Sequence, residues 1–274
     1  MRIMRPAAFT TAVLAGSAAM PALAQPTLTP HRAVYDIALD EATDRSGITG
    51  LSGRMVYEFN GSECEGYTVT FRFVTQIDTS ETSRVTDQQT TTYEDPGGTS
   101  FDFATKSYVD RSLDREIRGS AHKADGSTIV DIEKPQDSEV TLDATQFPTQ
   151  HLVELIRKAE AGETFYETNL FDGSEDADKI MTTTVIIGKE STTSKEDEEF
   201  AVAKAIEQKK FWPVSIAYFD LDEADGEEVP DYRIDFKLHE NGITRDLVMD
   251  YGDFSMKGKL VDLAVFDKPK GCTK

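Results

Sequence analysis

Four histidines, His31, His122, His151 and His239, and two cysteines, Cys64 and Cys272, are the side chains of this 274-residue chain with the clearest capacity for metal or nucleophilic chemistry. Their spacing supports neither. No two histidines have zinc-ligand spacing and no His-Glu-x-x-His occurs, so a zinc centre lacks its donors. His151 stands three residues before Glu154, which on a helix makes them neighbours, but one such pair is commoner as a surface contact than as a site. His239 adjoins a hairpin turn and is expected to face solvent. A Gly-x-Ser-x-Gly elbow is missing, since Gly50-Leu51-Ser52-Gly53 departs from it by a residue. Glycines come in turn pairs such as Gly97-Gly98 rather than between a strand and a helix, so no phosphate-cradling loop is formed. With 50 acidic residues a carboxylate pair can be drawn almost anywhere, and it carries no information. The chain is expected to be no enzyme and to use no cofactor.

Two acidic loops are the remaining places for an ion. In the first, Asp172, Ser174, Asp176 and Asp178 fall at positions 1, 3, 5 and 7 of a calcium loop. Ala177 then stands where the sharp turn wants glycine, and Thr183 where a bidentate glutamate belongs. The second, 220–228, has Gly226 one residue out of register. Solvated acidic turns are the expectation for both, with a weak calcium site as the alternative.

The charge balance excludes one class of partner. Lys and Arg total 29 against 50 acids, giving −21, and such a surface repels a phosphate backbone, so nucleic acid is not expected. Fifteen Phe and nine Tyr give the chain enough apolar surface to fold. Residues 1–24 have the form of a cleaved secretory leader. Arg2 and Arg5 form its basic start, Ala7 to Met20 its apolar stretch, and Ala22-Leu23-Ala24 a small-x-small cleavage box before Gln25. The apolar run is too short for a bilayer span, and an uncleaved anchor is the lesser alternative. Residues 25–274 are then one acidic, exported domain, placed in the periplasm by a bacterial-type leader, with no later segment able to span a membrane. Loss of Arg2 and Arg5 deepens −21 to −23.

In that oxidising compartment Cys64 and Cys272 are expected to pair and to clasp an early turn to the C-terminus. Closing so long a loop restricts the unfolded chain by at most about 5 kcal/mol. Two free thiols are the alternative. A redox pair is disfavoured because no Cys-x-x-Cys spacing exists.

Most of the mature sequence alternates with period two. Tyr67, Val69, Phe71, Phe73 and Ile77 alternate with Thr68, Thr70, Arg72 and Gln76, as a half-buried strand requires. Ala33 to Leu39, Leu51 to Phe59 and Trp212 to Tyr218 repeat the pattern, which puts Cys64 in a turn between strands. Tyr232, Ile234, Phe236 and Leu238 lead to Asn241-Gly242, a type I′ hairpin signal, with Ile243, Leu247, Met249 and Tyr251 on the return. Phe254 to Phe266 supplies a further strand. One helix is clear. It enters at Pro148-Thr149, carries Leu152, Leu155, Ile156 and Ala159 on one face, and stops at Gly162. A second, weaker helix is expected over Lys195 to Lys209, with Phe200, Ala203 and Ile206 at helical spacing. Such a sheet either leaves a curved apolar trough or closes and fills. Trp212, Tyr218, Phe71 and Phe73 are then ordinary core, or some of them line a groove for an acyl chain, a peptide or a partner.

Several segments together resemble the cell envelope integrity EipB-like family of periplasmic proteins. They are His31-Arg32-Ala33-Val34-Tyr35, Phe147-Pro148-Thr149-Gln150-His151, Phe171-Asp172-Gly173-Ser174, Trp212 to Phe219, Glu240-Asn241-Gly242 and Asp250-Tyr251-Gly252-Asp253-Phe254. The positions of Cys64 and Cys272 are similar to those of the family's single disulfide. The resemblance implies a mainly β, single-domain antiparallel β-spiral or incomplete barrel with one or two helices packed at its open side, similar to periplasmic lipoprotein carriers. It implies a non-enzymatic role in envelope integrity, working through periplasmic envelope proteins. The alternative is a carrier for a lipid or lipoprotein acyl chain in the half-barrel groove. Likeness of fold does not by itself transfer function.

Overall fold

The computed structural model describes residues 26–174, 176–206, 209–220 and 229–267. Fifteen strands among these residues form one antiparallel sheet. The first eight are β1 (His31–Ala42), β2 (Ile48–Ser62), β3 (Gly66–Thr79), β4 (Ser83–Glu94), β5 (Ser100–Val109), β6 (Ser112–Ala124), β7 (Ser127–Lys134) and β8 (Ser138–Asp143). Each pairs with its predecessor. The chain then makes helix α1 (Pro148–Glu160) and the strands β9 (Phe165–Leu170), β10 (Met181–Ile187) and β11 (Ser191–Thr192). A short helix α2 (Phe200–Ala203) precedes β12 (Lys210–Phe219), β13 (Tyr232–His239), β14 (Thr244–Asp250) and β15 (Phe254–Val265).

Sheet order explains why the barrel stays open. It runs from β8 down to β1, crosses to β15 and returns through β14, β13, β12 and β10 to β9, with β11 on the side of β12. The last strand therefore pairs with the first, with Val265 opposite His31 and Leu263 opposite Ala33. Both free edges, β8 and β9, fall in mid-chain on either side of α1. Just after β8 an isolated bridge pairs Gln146 with Leu170 of β9, where Gln146 donates to Asn169 O and accepts from Phe171 N. The expected incomplete barrel is thus built by two meanders that meet at β1 and β15.

Alternation in sequence becomes alternation in burial, because successive strand residues face opposite sides. Ala33, Tyr35, Ile37, Leu51, Met55, Leu247, Met249 and Leu260 form one apolar cluster. Helix α1 seats Leu155, Ile156 and Ala159 on Tyr166, Val185, Ile187, Trp212, Val214 and Ile216. Phe147, just before α1, stacks on Phe101 in a third cluster fed by β5, β6 and β7. The helix thereby touches both sides of the gap. Its end is a Schellman motif, with Gly162 at φ 76°, Gly162 N donating to Ala159 O and Glu163 N to Lys158 O.

Three local expectations need correction. The Asn241-Gly242 turn is not type I′, because only Gly242 has positive φ, at 84°. Gly242 N donates to His239 O and His239 N to Ile243 O, a three-residue loop with one left-handed glycine at its end. Helix α2 occupies four residues, not Lys195 to Lys209, because Asp197 and Glu199 before it are drawn inward to Arg245 and the Leu260 amide; Glu207 and Gln208 lie outside the described residues. His239 is fully buried rather than solvent-facing, since its ring lies against Phe211 and accepts from Arg245.

Candidate functional site

Helix α1 and the concave face beneath it form the best-defined candidate site. No side-chain cap serves the N-terminus of α1 locally. Glu94, the last residue of β4, fills that role from across the sheet, its carboxylate accepting from Thr149 N at 2.7 Å and Gln150 N at 2.9 Å. An anion there also meets the positive end of the helix dipole. Burial still dominates, and it raises the Glu94 pKa against these hydrogen bonds and the charge of Lys123. Lys123 itself donates to Gln150 and lies over the Phe147 ring.

On the inward side of α1, His151 is buried, and burial pushes its pKa down to about 4. Glu154 accepts from the Gln146 amide and stands 3.7 Å from Arg157 and 3.8 Å from Lys158. The sequence spacing therefore does place His151 and Glu154 on one helix, but as parts of a helix-to-sheet contact. Outside α1, a cleft of about 510 Å³ is lined by Tyr67, Glu94, Val153, Arg157 and Glu63, the residue before Cys64.

The concave face is incompletely covered beyond α1. Trp212 is core, packed under the helix. Phe71, Phe73, Ile234 and Phe236 pack against the second cluster yet remain partly exposed. Tyr218 starts a row of rings that continues through Tyr232 and Tyr251 to Phe254, with centroid spacings of 4.3, 5.9 and 5.2 Å.

The acid-rich segment before α2 has a partner that sequence reading missed. Arg245, fully buried, donates to Asp197 at 2.7 Å, Glu199 at 3.4 Å, His239 Nε2 at 3.0 Å and Thr193 at 3.0 Å. Lys237 adds an ion pair to Asp197 at 3.1 Å. Glu199 also accepts from the amides of Leu260 and Asp246. Burial lifts the Glu199 pKa, whereas hydrogen bonds from Arg245, Glu199 N and Lys237 hold Asp197 low despite burial. This hub ties the segment to the β13–β14 hairpin. Its signal in the sequence is an arginine at the inward phase of Ile243, Leu247 and Met249.

Of the residues singled out for chemistry, His31 is buried with Nδ1 2.7 Å from Thr29 O, and His122 is exposed, 4.0 Å from Asp131. In the first acidic loop Asp172 accepts from Ser174 N and Asp176 lies 3.6 Å from Arg115. Residues 221–228 of the second lie outside the described residues, and among those described no group of three or more His, Cys, Asp or Glu could hold a metal ion. Cys64 sits in the turn between β2 and β3. Cys272 and the leader, residues 1–24, lie outside the described residues. Among those described, no helix is long and apolar enough to cross a membrane.

Residues 22–267 match the EipB-like family. The chain is 56% identical over 251 residues to the cell envelope integrity protein EipB of Brucella abortus (strain 2308), covering 90% of this chain and 89% of that one. It is also similar to the crystal structure of a beta-barrel-like protein of a domain of unknown function from Brucella abortus. The TM-score is 0.83 at 56% identity, covering 88% of this chain and 99% of that one.

Proposed function

The chain belongs to the EipB-like family, and from that premise we propose that it is a non-enzymatic periplasmic protein that maintains the integrity of the cell envelope through protein partners. The observation that carries this reading is the 56% identity, over nine-tenths of the chain, to a protein named for cell envelope integrity. The leader at residues 1–24 supports export and residence in the periplasm. The test is deletion: cells lacking the protein should become more sensitive to detergents and to cell-wall antibiotics, and unchanged sensitivity to both refutes the role. Affinity capture from the periplasm then identifies the partners.

The Cys64–Cys272 clasp is part of this proposal. Val265 is opposite His31, and His31 is opposite Phe59, so β15 ends two strand spacings, about 10 Å, from the strand that leads into the Cys64 turn. Five Cα-to-Cα steps lead from Asp267 to Cys272 and reach about 17 Å when extended, enough to span that offset.

One observation favours a second reading, a carrier for a lipid or lipoprotein acyl chain. Phe71, Phe73 and Phe236 leave partly exposed apolar surface on the concave face. Native mass spectrometry of protein purified from its own periplasm would detect a bound amphiphile, and a ligand-free spectrum under gentle conditions removes this reading.

A further inference from the structure

Among the described residues, three of the buried side-chain atoms that have no hydrogen-bond partner surround the inward side of α1. They are His151 Nε2, Tyr166 OH and Gln146 Oε1. His151 lies on the helix and Tyr166 on β9, with ring centroids 6.3 Å apart and both residues more than nine-tenths buried. Polar atoms left unpaired in a closed contact weaken it relative to an apolar one of the same shape. The contact they weaken is the one that covers the gap between the two free sheet edges.

We propose that α1 is an acid-released lid, a helix bridging β8 and β9 that stays seated only while its own inward-facing histidine, His151, is neutral. Opening uncovers Tyr166, Val185, Ile187, Trp212 and Val214, an apolar strip now hidden by Leu155, Ile156 and Ala159. This goes beyond the envelope role and does not depend on it.

The charges around the helix set the sign. On α1 itself, Glu154 favours protonated His151, but it is shared among Gln146, Arg157 and Lys158. From β9 comes Tyr166, with Lys158 over its ring at 4.9 Å. From β4 comes Glu94 and from β6 Lys123, both at the N-terminus of the helix. Burial outweighs the field of Glu154 and takes His151 from 6.5 down to about 4. A histidine with a lowered pKa favours the closed state fully above 6.5, and that preference is lost as pH falls towards 4. Glu94, whose pKa burial raises, titrates with the opposite sign and cannot drive the opening. With 6.5 open and 4 closed, the open-to-closed ratio rises about twentyfold between pH 7 and pH 5.

Amide exchange on the whole mature protein tests this, with intrinsic rates removed and β2 as internal reference. Protection of residues 149–160 should fall about twentyfold from pH 7 to pH 5 while β2 changes less than threefold. His151→Gln and His151→Phe should abolish the fall, and Glu94→Gln should retain it. A wild-type fall below threefold, an equal fall in β2, or a fall that survives in both His151 variants overturns the lid. Should neither His151 variant fold, the wild-type comparison of α1 with β2 decides alone.

Discussion

Replacing Arg245 with methionine removes a fully buried charge with four side-chain hydrogen-bond partners while keeping much of its volume. The guanidinium makes charge-assisted contacts to Asp197 and Glu199, donates to His239 and Thr193, and lies 5.0 Å over the Phe211 ring. Breaking a buried pair from one side typically costs about 3–5 kcal/mol, because the remaining charge is left uncompensated. Here Asp197 would keep Lys237 and Glu199 would keep two backbone amides, so the low end, about 3 kcal/mol, is expected. For a chain of this size that is roughly 6–12 °C in Tm. The loss should also depend on pH. Glu199 already has a raised pKa, and removing Arg245 raises it further, so proton uptake relieves the uncompensated charge and the loss shrinks from pH 7 to pH 5. Urea melts of R245M at both pH values measure this, with R54A as control. The Arg54–Asp36 pair is 62% and 51% exposed, and its loss should cost less than about 1 kcal/mol. An R245M protein within about 1 kcal/mol of wild type, or one equally destabilised at both pH values, refutes the electrostatic account of the hub.

Glu94→Ala should lower stability by about 1–2 kcal/mol and release α1 first, detected as amide exchange concentrated in residues 149–152. Gly242→Ala should be more damaging than Gly252→Ala. Both glycines have positive φ, near 80°, but an added Cβ at Gly242 meets Leu28 Cδ2 at 2.8 Å whereas Gly252 has open space, so a thermal melt should separate them by at least about 1 kcal/mol. Cys64→Ser with Cys272→Ser should lower the Tm relative to oxidised wild type by the equivalent of up to about 5 kcal/mol, and an unchanged Tm would mean that the clasp is absent.

What the sequence made legible was whatever is encoded in local period and turn chemistry. The alternations through Tyr35, Phe71, Trp212 and Ile234 became strands with the expected faces, and Pro148 to Gly162 became a helix with its left-handed stop. What it hid were long-range pairings. Glu94 ends a strand whose inward residues are Thr86, Gln88, Thr90 and Thr92, so no apolar rhythm distinguishes it, and its role appears only when the N-terminus of α1 arrives 55 residues later. His239 looked like a turn-side surface residue because its partner, Arg245, reaches it only after the hairpin has folded. The Asn-Gly pair signalled a hairpin correctly but not its geometry, since Asn241 is buried and its carbonyl accepts from Thr29 N, a contact invisible to turn statistics.

The most direct test of an exported envelope factor is complementation of a deletion strain with two forms of the chain, one carrying residues 1–24 and one starting at Gln25 and retained in the cytosol. Resistance to detergent and cell-wall antibiotics should return only with the first form, recovered from the periplasm as a 250-residue mature protein. Rescue by the cytosolic form to the same level would contradict the account.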